Sequence, residues 1–546
     1  MHKKNSSVSS DITILFLIMV FGISGFFSLG LIGISWDEGL GNMFFGERYL
    51  KYIETGQDKY LDFKADLGFH NLTGLDLTKS KFRNLPNHYP PVMDIISAWI
   101  MHTFAYSGNV LDPVDAFHLS KILITILFLG ICYFFIKKRL GVGISFWSLL
   151  FLLTFPRLWG DMELNPKDIP SLAVFTFFIF AFIFWYEKPS ISKSLLVGVL
   201  FGIGLGIKAN ILFAPIVLLI GWFPWKWNLK FWSDTANHFK ETWIYYLLMG
   251  SSATAVYILS WPYLYGHPER ILSYFKTMLN QGDRIVEYVW SGEPLAHVIA
   301  TTPEIMLLFV TAGLFYFLLK NQERILWRRL LLVWFIFPIF RISIPGQVNF
   351  DGIRHYYEFL PAAAIIAGYG VQKSIDWMKT KRINLYKVVT VCISIFLVST
   401  AVINFKIYFP YSYIYYNRIV GGLSGAGRFF SKNDTTDYWG VSYREGLRWI
   451  EKNAEENSYL YVPVAGWLVE IPSRIWLRPD IKFISEAESD SVFLQTNSVY
   501  IMFINRPGYY NDIVNRVLQD DHHLVYKREV DDYPVLFIYQ ILQSSK

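Results

Sequence analysis

Residues 12–38 read ITILFLIMVFGISGFFSLGLIGISWDE, an apolar run that ends in two adjacent acids, Asp37 and Glu38. The apolar part, Ile12–Ile34, is long enough to cross a bilayer, for which an α-helix needs about 20 residues. It follows a basic start (HKK), but it is longer than the apolar core of a cleavable signal peptide. We therefore predict a retained first membrane span that leads directly into the acidic pair.

The composition of the whole chain also favours a membrane protein. Of its 546 residues, 53% are hydrophobic and 17% are charged, and the mean hydropathy is +0.31, whereas soluble chains carry about 25% charged residues. The two cysteines, Cys132 and Cys392, lie in apolar runs, which favours packing over a disulfide. The net charge of +6 comes from short loops, so we expect no nucleic-acid partner.

The apolar stretches predict an all-α polytopic membrane protein with about eleven transmembrane helices. Loops on the side of the N-terminus are short and rich in Lys and Arg, and loops on the other side are longer and mixed. Because positively charged loops stay in the cytoplasm, we predict a cytoplasmic N-terminus and an exterior C-terminus in a bacterial or archaeal plasma membrane. The candidate spans are 12–34, 117–136, 142–156, 169–186, 193–207, 210–224, 243–262, 303–320, 329–345, 356–372 and 386–408.

Two regions outside these spans carry further structure. The exterior loop 35–116 contains an amphipathic stretch and an apolar helix after Pro90-Pro91, both expected to lie along the membrane interface. We divide the chain into a membrane domain, 1–408, and a small exterior α/β domain, 409–546. In the second domain the sequence predicts one helix and three strands: Glu445–Asn453, Tyr459–Val464, Ser498–Ile504 and Val535–Ile541.

Two acidic segments are candidate reactive sites. Asp37 and Glu38 lie at a membrane boundary, where carboxylates are either hydrated or functional. The loop 155–170, FPRLWGDMELNPKDIP, combines acids, bases and prolines at a density that a connector does not need, although a self-paired surface loop is the alternative. Its candidate residues are Arg157, Asp161, Glu163, Lys167 and Asp168.

Basic residues at two other positions are suited to bind an anion. Lys208 lies in an apolar segment, GIGLGIKANILF, where a lysine either pairs with a partner such as a phosphate or extends to the interface. The segment around Lys208, 193–224, is predicted as two short helices, because one long helix would reverse the side of every later loop. Arg354 and His355 precede the span 356–372 and are also candidates for phosphate binding.

The order of these motifs resembles the GT-C superfamily of membrane glycosyltransferases. The resemblance rests on the acidic pair at 37–38, the segment His88-Tyr89-Pro90-Pro91, the loop Asp161–Asp168 and the glycine-rich span with Lys208. The branch most similar contains the protein O-mannosyltransferases and aminoarabinose transferases, the GT39 and GT83 types. In that branch the second motif is HPP, so the inserted Tyr89 is a departure. The resemblance covers nearly all of the membrane domain and little of the C-terminal domain.

This resemblance implies an inverting transfer of a sugar from a polyprenyl- or dolichyl-phosphate donor to a hydroxyl acceptor, which is a protein, glycolipid or polysaccharide. Asp37 matches the base or positioning residue, and Glu38 would orient the acceptor or support Asp37. Lys208 and Arg354 would bind the donor phosphate. The remaining expected substrate-binding residues are His88, Arg157, Asp161, Glu163, Lys167, Asp168 and His355.

Other functions remain open at the level of sequence. A transporter or flippase for a lipid-linked sugar would also hold charged residues at membrane depth, but such proteins often have internal repeats, and none is visible here. A sensor would not explain the acidic loops. A divalent metal is also open, since no His/Asp spacing demands one.

Overall fold

The computed structural model describes residues 2–65, 74–83, 89–164, 166–223, 229–279, 288–319, 325–347, 349–484, 498–519 and 521–542. It is mainly helical, with one five-stranded sheet near the C-terminus. This confirms the predicted fold class, a polytopic helical membrane protein with a small C-terminal α/β region.

The helices of the membrane region are numbered α1 to α16 in chain order. They span His2–Ser28, Met43–Thr55, Val92–Met101, Pro113–Leu140, Val142–Leu153, Pro156–Asp161, Asp168–Glu187, Ile191–Leu205, Ala214–Gly221, Leu229–Leu259, Glu269–Leu279, Glu293–Thr301, Glu304–Leu318, Ile325–Ser343, Leu360–Thr380 and Tyr386–Tyr408. Short 3-10 or π segments include Glu38–Asn42, His102–Ser107, Ala209–Phe213 and Arg354–Phe359.

A described helix lies at each predicted span position, and the chain is a multi-pass membrane protein. Five of the described helices have the length and hydropathy to cross a membrane, and α12 with α13, bent by 116°, would form a sixth span. The count of about eleven stays a prediction, because the other helices are shorter or carry charges. The five are Ser10–Ser28 within α1, α4, α7, Phe239–Leu259 within α10, and α16.

The first span ends earlier than predicted. Helix α1 stops at Ser28, and Gly30 adopts a left-handed conformation with φ of 85°, which ends a helix without steric cost. Residues 32–35 therefore form a short irregular segment, and a new helical turn begins at Trp36 and includes Asp37. The prediction for 193–224 is confirmed: α8 ends at Leu205, Lys208 is extended, and a second helical segment begins at Ala209.

Helix α7 is the centre of the membrane region, whereas α16 lies at its edge. In the apolar window of α7, 83% of the residues are buried inside the protein, compared with 6% in α16. Since lipid tails are as apolar as leucine side chains, helices in a bilayer associate mainly through close packing. Glycines allow that packing between α13 and α15, where Gly313 and Gly370 bring the two backbones together.

The C-terminal sheet has the strand order β2-β1-β3-β5-β4, with β1 parallel to both of its neighbours and the other pairs antiparallel. The predicted helix and three strands are present, and the sequence missed β2 and β4. The missed β2 has three residues, and β4 alternates exposed and partly buried positions, including Lys527 and Glu529, as an edge strand does. The strands are Tyr459–Tyr461, Lys482–Ile484, Ser498–Ile504, Leu524–Val530 and Tyr533–Leu542, and the helices α17 to α21 are Gly422–Ala426, Tyr443–Asn453, Trp467–Glu470, Ser473–Trp476 and Asp512–Val517.

Polar contacts join this sheet region to the membrane helices. Arg444 on α18 donates to Asp115 on α4 at 2.5 Å and to the carbonyl of Ile32 at 3.1 Å. The amide of Gly33 donates to the carbonyl of Val441 at 2.9 Å. The C-terminal region is therefore anchored on the segment that follows the first span. The division at 408/409, where α16 ends, stays a prediction.

We expect Gly313→Ala to destabilise the protein, because its Cβ would overlap the carbonyl oxygen of Ile366 on α15. Overpacking of this kind costs about 1–3 kcal/mol. The control is Gly130→Ala, whose Cβ would have no neighbour within 4 Å and which should be neutral or slightly stabilising. Thermal unfolding in detergent measures both; equal midpoints for the two variants would contradict the close packing of α13 and α15.

Candidate functional site

Arg354 is the centre of a cluster of ion pairs formed by distant parts of the chain. Its guanidinium lies 3.2 Å from Asp37, 3.5 Å from Asp168 and 2.9 Å from Asp351. The faces of the guanidinium contact Trp439 and Phe350, at 4.6 and 5.0 Å from the ring centroids. Sequence analysis predicted Asp37, Asp168 and Arg354 independently, and the fold brings these three together.

The local backbone explains how each group is positioned. Asp37 has a helical backbone conformation and directly precedes the π-helical segment Glu38–Asn42, and Asp168 is the first residue of α7. Asp351 and Gly352 both adopt left-handed conformations, with φ of 57° and 73°, and this turn aims the carboxylate of Asp351 back at Arg354. A side chain at position 352 would overlap the guanidinium of Arg157, so glycine is required there.

The cluster has a buried part and an exposed rim. The side chains of Asp168, Asp351 and Arg354 are 8% exposed or less, whereas that of Asp37 is 29% exposed. Lys208 is 22% exposed and donates to Asp168 at 2.7 Å. Although burial opposes its charge, the carboxylates of Asp37, Asp351 and Asp168 raise the pKa of Arg354, which stays protonated. The rim therefore presents one carboxylate, Asp37, beside cationic groups.

The C-terminal region contributes residues that sequence analysis did not select. Arg506 donates to Asp351 at 3.2 Å and to the carbonyl of Tyr438 at 3.0 Å. Its guanidinium also lies 4.5 Å from the ring centroid of Trp36, next to Asp37. Trp439 lies between Arg354 and Asp161, to which its indole donates at 3.1 Å. No local pattern around Arg506 or Trp439 marks them, because their role depends on docking of the two regions.

Glu38 does not reach the rim, and the prediction that it orients the acceptor stays a prediction. It is fully buried, receives hydrogen bonds from Lys121 at 2.6 Å and pairs with His118 at 3.0 Å. Burial alone would raise the pKa of Glu38, but His118 and Lys121 together lower it to about 2. Glu38 is thus an ionised structural residue, and a supporting role beside Asp37 stays a prediction.

The other acids and bases of the loop 155–170 are buried away from Arg354. Asp161 accepts from Tyr357 and Trp439, and Glu163 accepts from Ser28. Lys167 pairs with Asp94 at 2.7 Å and donates to the carbonyl of Pro90. These partners all lie outside the loop, so the contacts differ from those of a self-paired surface loop. Direct binding of the sugar by these residues stays a prediction.

Arg157 is also buried, His355 is partly buried, and His88 lies outside the described residues. Arg157 donates to the carbonyl of Tyr415 at 3.0 Å and lies 4.8 Å from the ring centroid of Tyr416. Its two terminal nitrogens have no hydrogen-bond partner among the described atoms. The ring of His355 lies 4.5 Å from that of Phe350, so it contacts the cluster through an aromatic ring. A direct phosphate contact by either residue stays a prediction.

Among known proteins, similarity to this chain is found in solved structures. No family model matches the chain, and a search of curated proteins finds no match. ArnT from Cupriavidus metallidurans in the apo state is 12% identical, with a TM-score of 0.49 over 97% of this chain and 98% of that one. The same protein bound to undecaprenyl phosphate is 13% identical, with a TM-score of 0.47 over 96% and 97% of the two chains.

An oligosaccharyltransferase from Archaeoglobus fulgidus, tethered to an acceptor peptide, is 13% identical with a TM-score of 0.40 over 76% of this chain and 61% of that one. The resemblance to GT-C membrane glycosyltransferases stays a prediction from the sequence motifs. At such identities and TM-scores the similarity carries no information about substrate or mechanism. The proposals below therefore rest on the residues of this chain.

The buried carboxyl of Glu163 should make stability depend on pH. Burial and the charge of Asp115, against smaller opposing effects of Ser28, Lys121 and Arg444, raise its pKa from 4.5 to about 8. Between these values the folded protein binds one more proton than the unfolded chain, so this residue lowers stability as pH rises from 4.5 to 8, by up to about 1.4 kcal/mol per unit.

In Glu163→Gln this contribution is absent, so the thermal midpoint should fall less steeply between pH 5 and pH 8 than in the wild type. The control is Glu54→Gln, a change in an exposed pair with Lys51 on α2, which should leave the slope unchanged. A slope in Glu163→Gln equal to that of the wild type would show that Glu163 is ionised in the folded protein.

Proposed function

We propose that this chain is a membrane glycosyltransferase that transfers a sugar from a polyprenyl-phosphate donor to a hydroxyl group of an acceptor on the outer face of the membrane. The observation that carries the proposal is the contact of Asp37 with Arg354, with Lys208 on the other side of Asp168. This arrangement supplies a carboxylate for the nucleophile and two cations for a phosphate in one partly exposed cluster.

Lys208 and Arg354 are suited to bind the phosphate of the donor. A phosphate diester carries one negative charge, and in a site of low dielectric it binds most strongly to groups that are already fixed as cations. Asp168 holds Lys208 at 2.7 Å and Arg354 at 3.5 Å, so it keeps both cations near each other before the donor arrives. During the reaction the leaving phosphate gains negative charge, and Lys208 and Arg354 would stabilise it.

The partly exposed position of Asp37 allows it to contact the acceptor hydroxyl. Among the carboxylates that contact Arg354 it has the most exposed side chain, at 29%, so an acceptor hydroxyl has access to it. As the hydroxyl oxygen attacks the anomeric carbon, Asp37 would accept its proton while the bond from that carbon to the phosphate oxygen breaks. A single displacement of this kind inverts the anomeric centre and releases polyprenyl phosphate.

The ion pairs within the cluster involve the same groups that would bind the substrates. Arg354 is shared among three carboxylates, so a phosphate that binds it competes with Asp37 for the same nitrogen. Release of Asp37 from Arg354 would leave that carboxylate available to the acceptor hydroxyl when the donor is bound. Asp351, held by Arg354 and Arg506, would keep the guanidinium in place during this exchange.

We expect Asp37→Asn to lower the rate of sugar transfer by at least about 100-fold, since an amide accepts no proton and general bases contribute 10²–10⁴-fold. Transfer is measured in membranes supplied with a panel of radiolabelled polyprenyl-phosphate sugars, which also identifies the sugar. The control is Asp58→Asn, in an exposed 3-10 turn distant from Arg354 in the chain. Protein level and the thermal midpoint are measured for each variant.

The outcomes of this experiment separate enzyme from transporter. Loss of transfer in Asp37→Asn, with normal folding and with activity retained in Asp58→Asn, supports the proposal. A chain that binds donors and moves them across the bilayer without forming any product would favour a flippase. Full transfer activity in Asp37→Asn would contradict the role of this carboxylate as the base.

Lys208→Met should weaken donor binding more than it slows the chemical step. The methionine keeps the apolar stem but removes the charge, so we expect KM for the donor to rise about tenfold, corresponding to the loss of one exposed charge-assisted contact of about 1.4 kcal/mol. Steady-state kinetics with a fixed acceptor measure the effect. Lys193→Met, at the start of α8, is the matched control, and an equal change in both variants would contradict a specific role for Lys208.

A further inference from the structure

A second polar cluster lies where α12 meets the exterior loop before α18. It consists of Glu293 and His297, one helical turn apart on α12, and Asp434 from the loop. One ligand atom of each residue lies within 4.8 Å of those of the other two, and His297 Nδ1 is 3.9 Å from a carboxylate oxygen of Glu293. Residues four apart on a helix project from the same face, which accounts for the pairing of Glu293 with His297.

His297 is the unusual member of this cluster. Its side chain is fully buried, yet neither ring nitrogen has a hydrogen-bond partner among the described atoms. Its ring stacks on Phe430 at 4.1 Å between centroids, which fixes the plane of the imidazole. A buried polar group without a partner is costly, so a partner such as an ordered water or an ion is expected at His297.

From this geometry we propose that Glu293, His297 and Asp434 bind a divalent transition-metal ion of the Zn²⁺ type. One imidazole nitrogen and two carboxylate oxygens form a mixed donor set that suits Zn²⁺ and its first-row neighbours better than Ca²⁺ or Mg²⁺, which prefer oxygen alone. Coordination at bond lengths of about 2.0–2.2 Å would require these three ligand atoms, which lie within 4.8 Å of one another, to move closer together.

The surroundings provide both entry and an open coordination position. The side chain of Glu293 is 41% exposed, whereas that of His297 is buried, so an ion enters from the Glu293 side. Three protein ligands leave a fourth position for water or for an oxygen of a bound molecule, as in metal sites that take part in reactions. The open position would allow the ion to bind a further molecule in addition to its three protein ligands.

The cluster also borders the residues around Arg157. His297 and Arg157 both contact the ring of Tyr416, at 6.4 and 4.8 Å from its centroid. Tyr356, two residues after Arg354, donates to the carbonyl of Pro294 next to Glu293 at 3.0 Å. A bound cation would offset the repulsion among Glu293, Asp434 and Asp351, and it would fix α12 against the segment that carries Arg354.

Metal binding can be tested without any transfer assay. The full-length protein, purified in detergent with a tag that lacks histidine, is incubated with Zn²⁺ and desalted, and its metal content is measured by mass spectrometry. We expect about one equivalent per chain and a higher thermal midpoint in the presence of Zn²⁺. His297→Asn and Asp434→Asn should lose the bound metal or bind it at least tenfold more weakly.

Two further variants keep the result interpretable. Glu293→Gln changes a partly exposed side chain, so it should fold even if the buried variants do not, and it should also weaken Zn²⁺ binding. His267→Asn removes an exposed histidine that pairs with Glu269, and it should bind Zn²⁺ as the wild type does. Substoichiometric binding by the wild type, or equal binding by wild type and Glu293→Gln, would overturn the proposal. Because metal content is the readout, failure of this site and failure of the proposed transfer reaction are distinguishable.

Discussion

The guanidinium of Arg354 joins the separate segments of the chain that form the candidate site. It contacts Asp37 after the first span, Asp168 at the start of α7 and Asp351 in its own turn, and it lies on Trp439 from the exterior region. A buried cation without a carboxylate costs several kcal/mol, so the charge strongly favours a fold in which these segments meet. The same requirement leaves cations beside the partly exposed Asp37, which is the chemistry that transfer from a lipid phosphate needs.

The C-terminal region is therefore part of the candidate site and more than an appended domain. Arg506 reaches Asp351 and Trp36, and Arg444 pairs with Asp115 on α4. These contacts replace hydration of buried charges on both sides of the boundary, so the two regions depend on each other for stability. The metal site proposed at Glu293, His297 and Asp434 lies at the same boundary, where α12 meets the exterior loop.

The predictions that succeeded rest on strong, local signals. Apolar runs of helical length place helices at every predicted span position, and the break at Lys208 follows from the alternation of loop charge. What the sequence did not reveal depends on partners far away in the chain. Glu38 is adjacent to Asp37 but faces Lys121 and His118, and β4 is an edge strand in which exposed and partly buried positions alternate. Adjacent residues at the start of a helical segment point in different directions, so their sequence alone does not separate a rim carboxylate from a buried one.

The sequence by itself determined that the chain is a helical membrane protein, where its helices lie, and that Asp37, Asp168, Lys208 and Arg354 are chemically suited to one site. It could do so because bilayer thickness fixes the length of a span and because charges near a membrane are costly. Only the tertiary structure decided that Arg506 and Trp439 join this site, and that His297 is buried with two carboxylates beside it. Most of these contacts join residues that are far apart in the chain, and they exist only after the C-terminal region has packed on the helices.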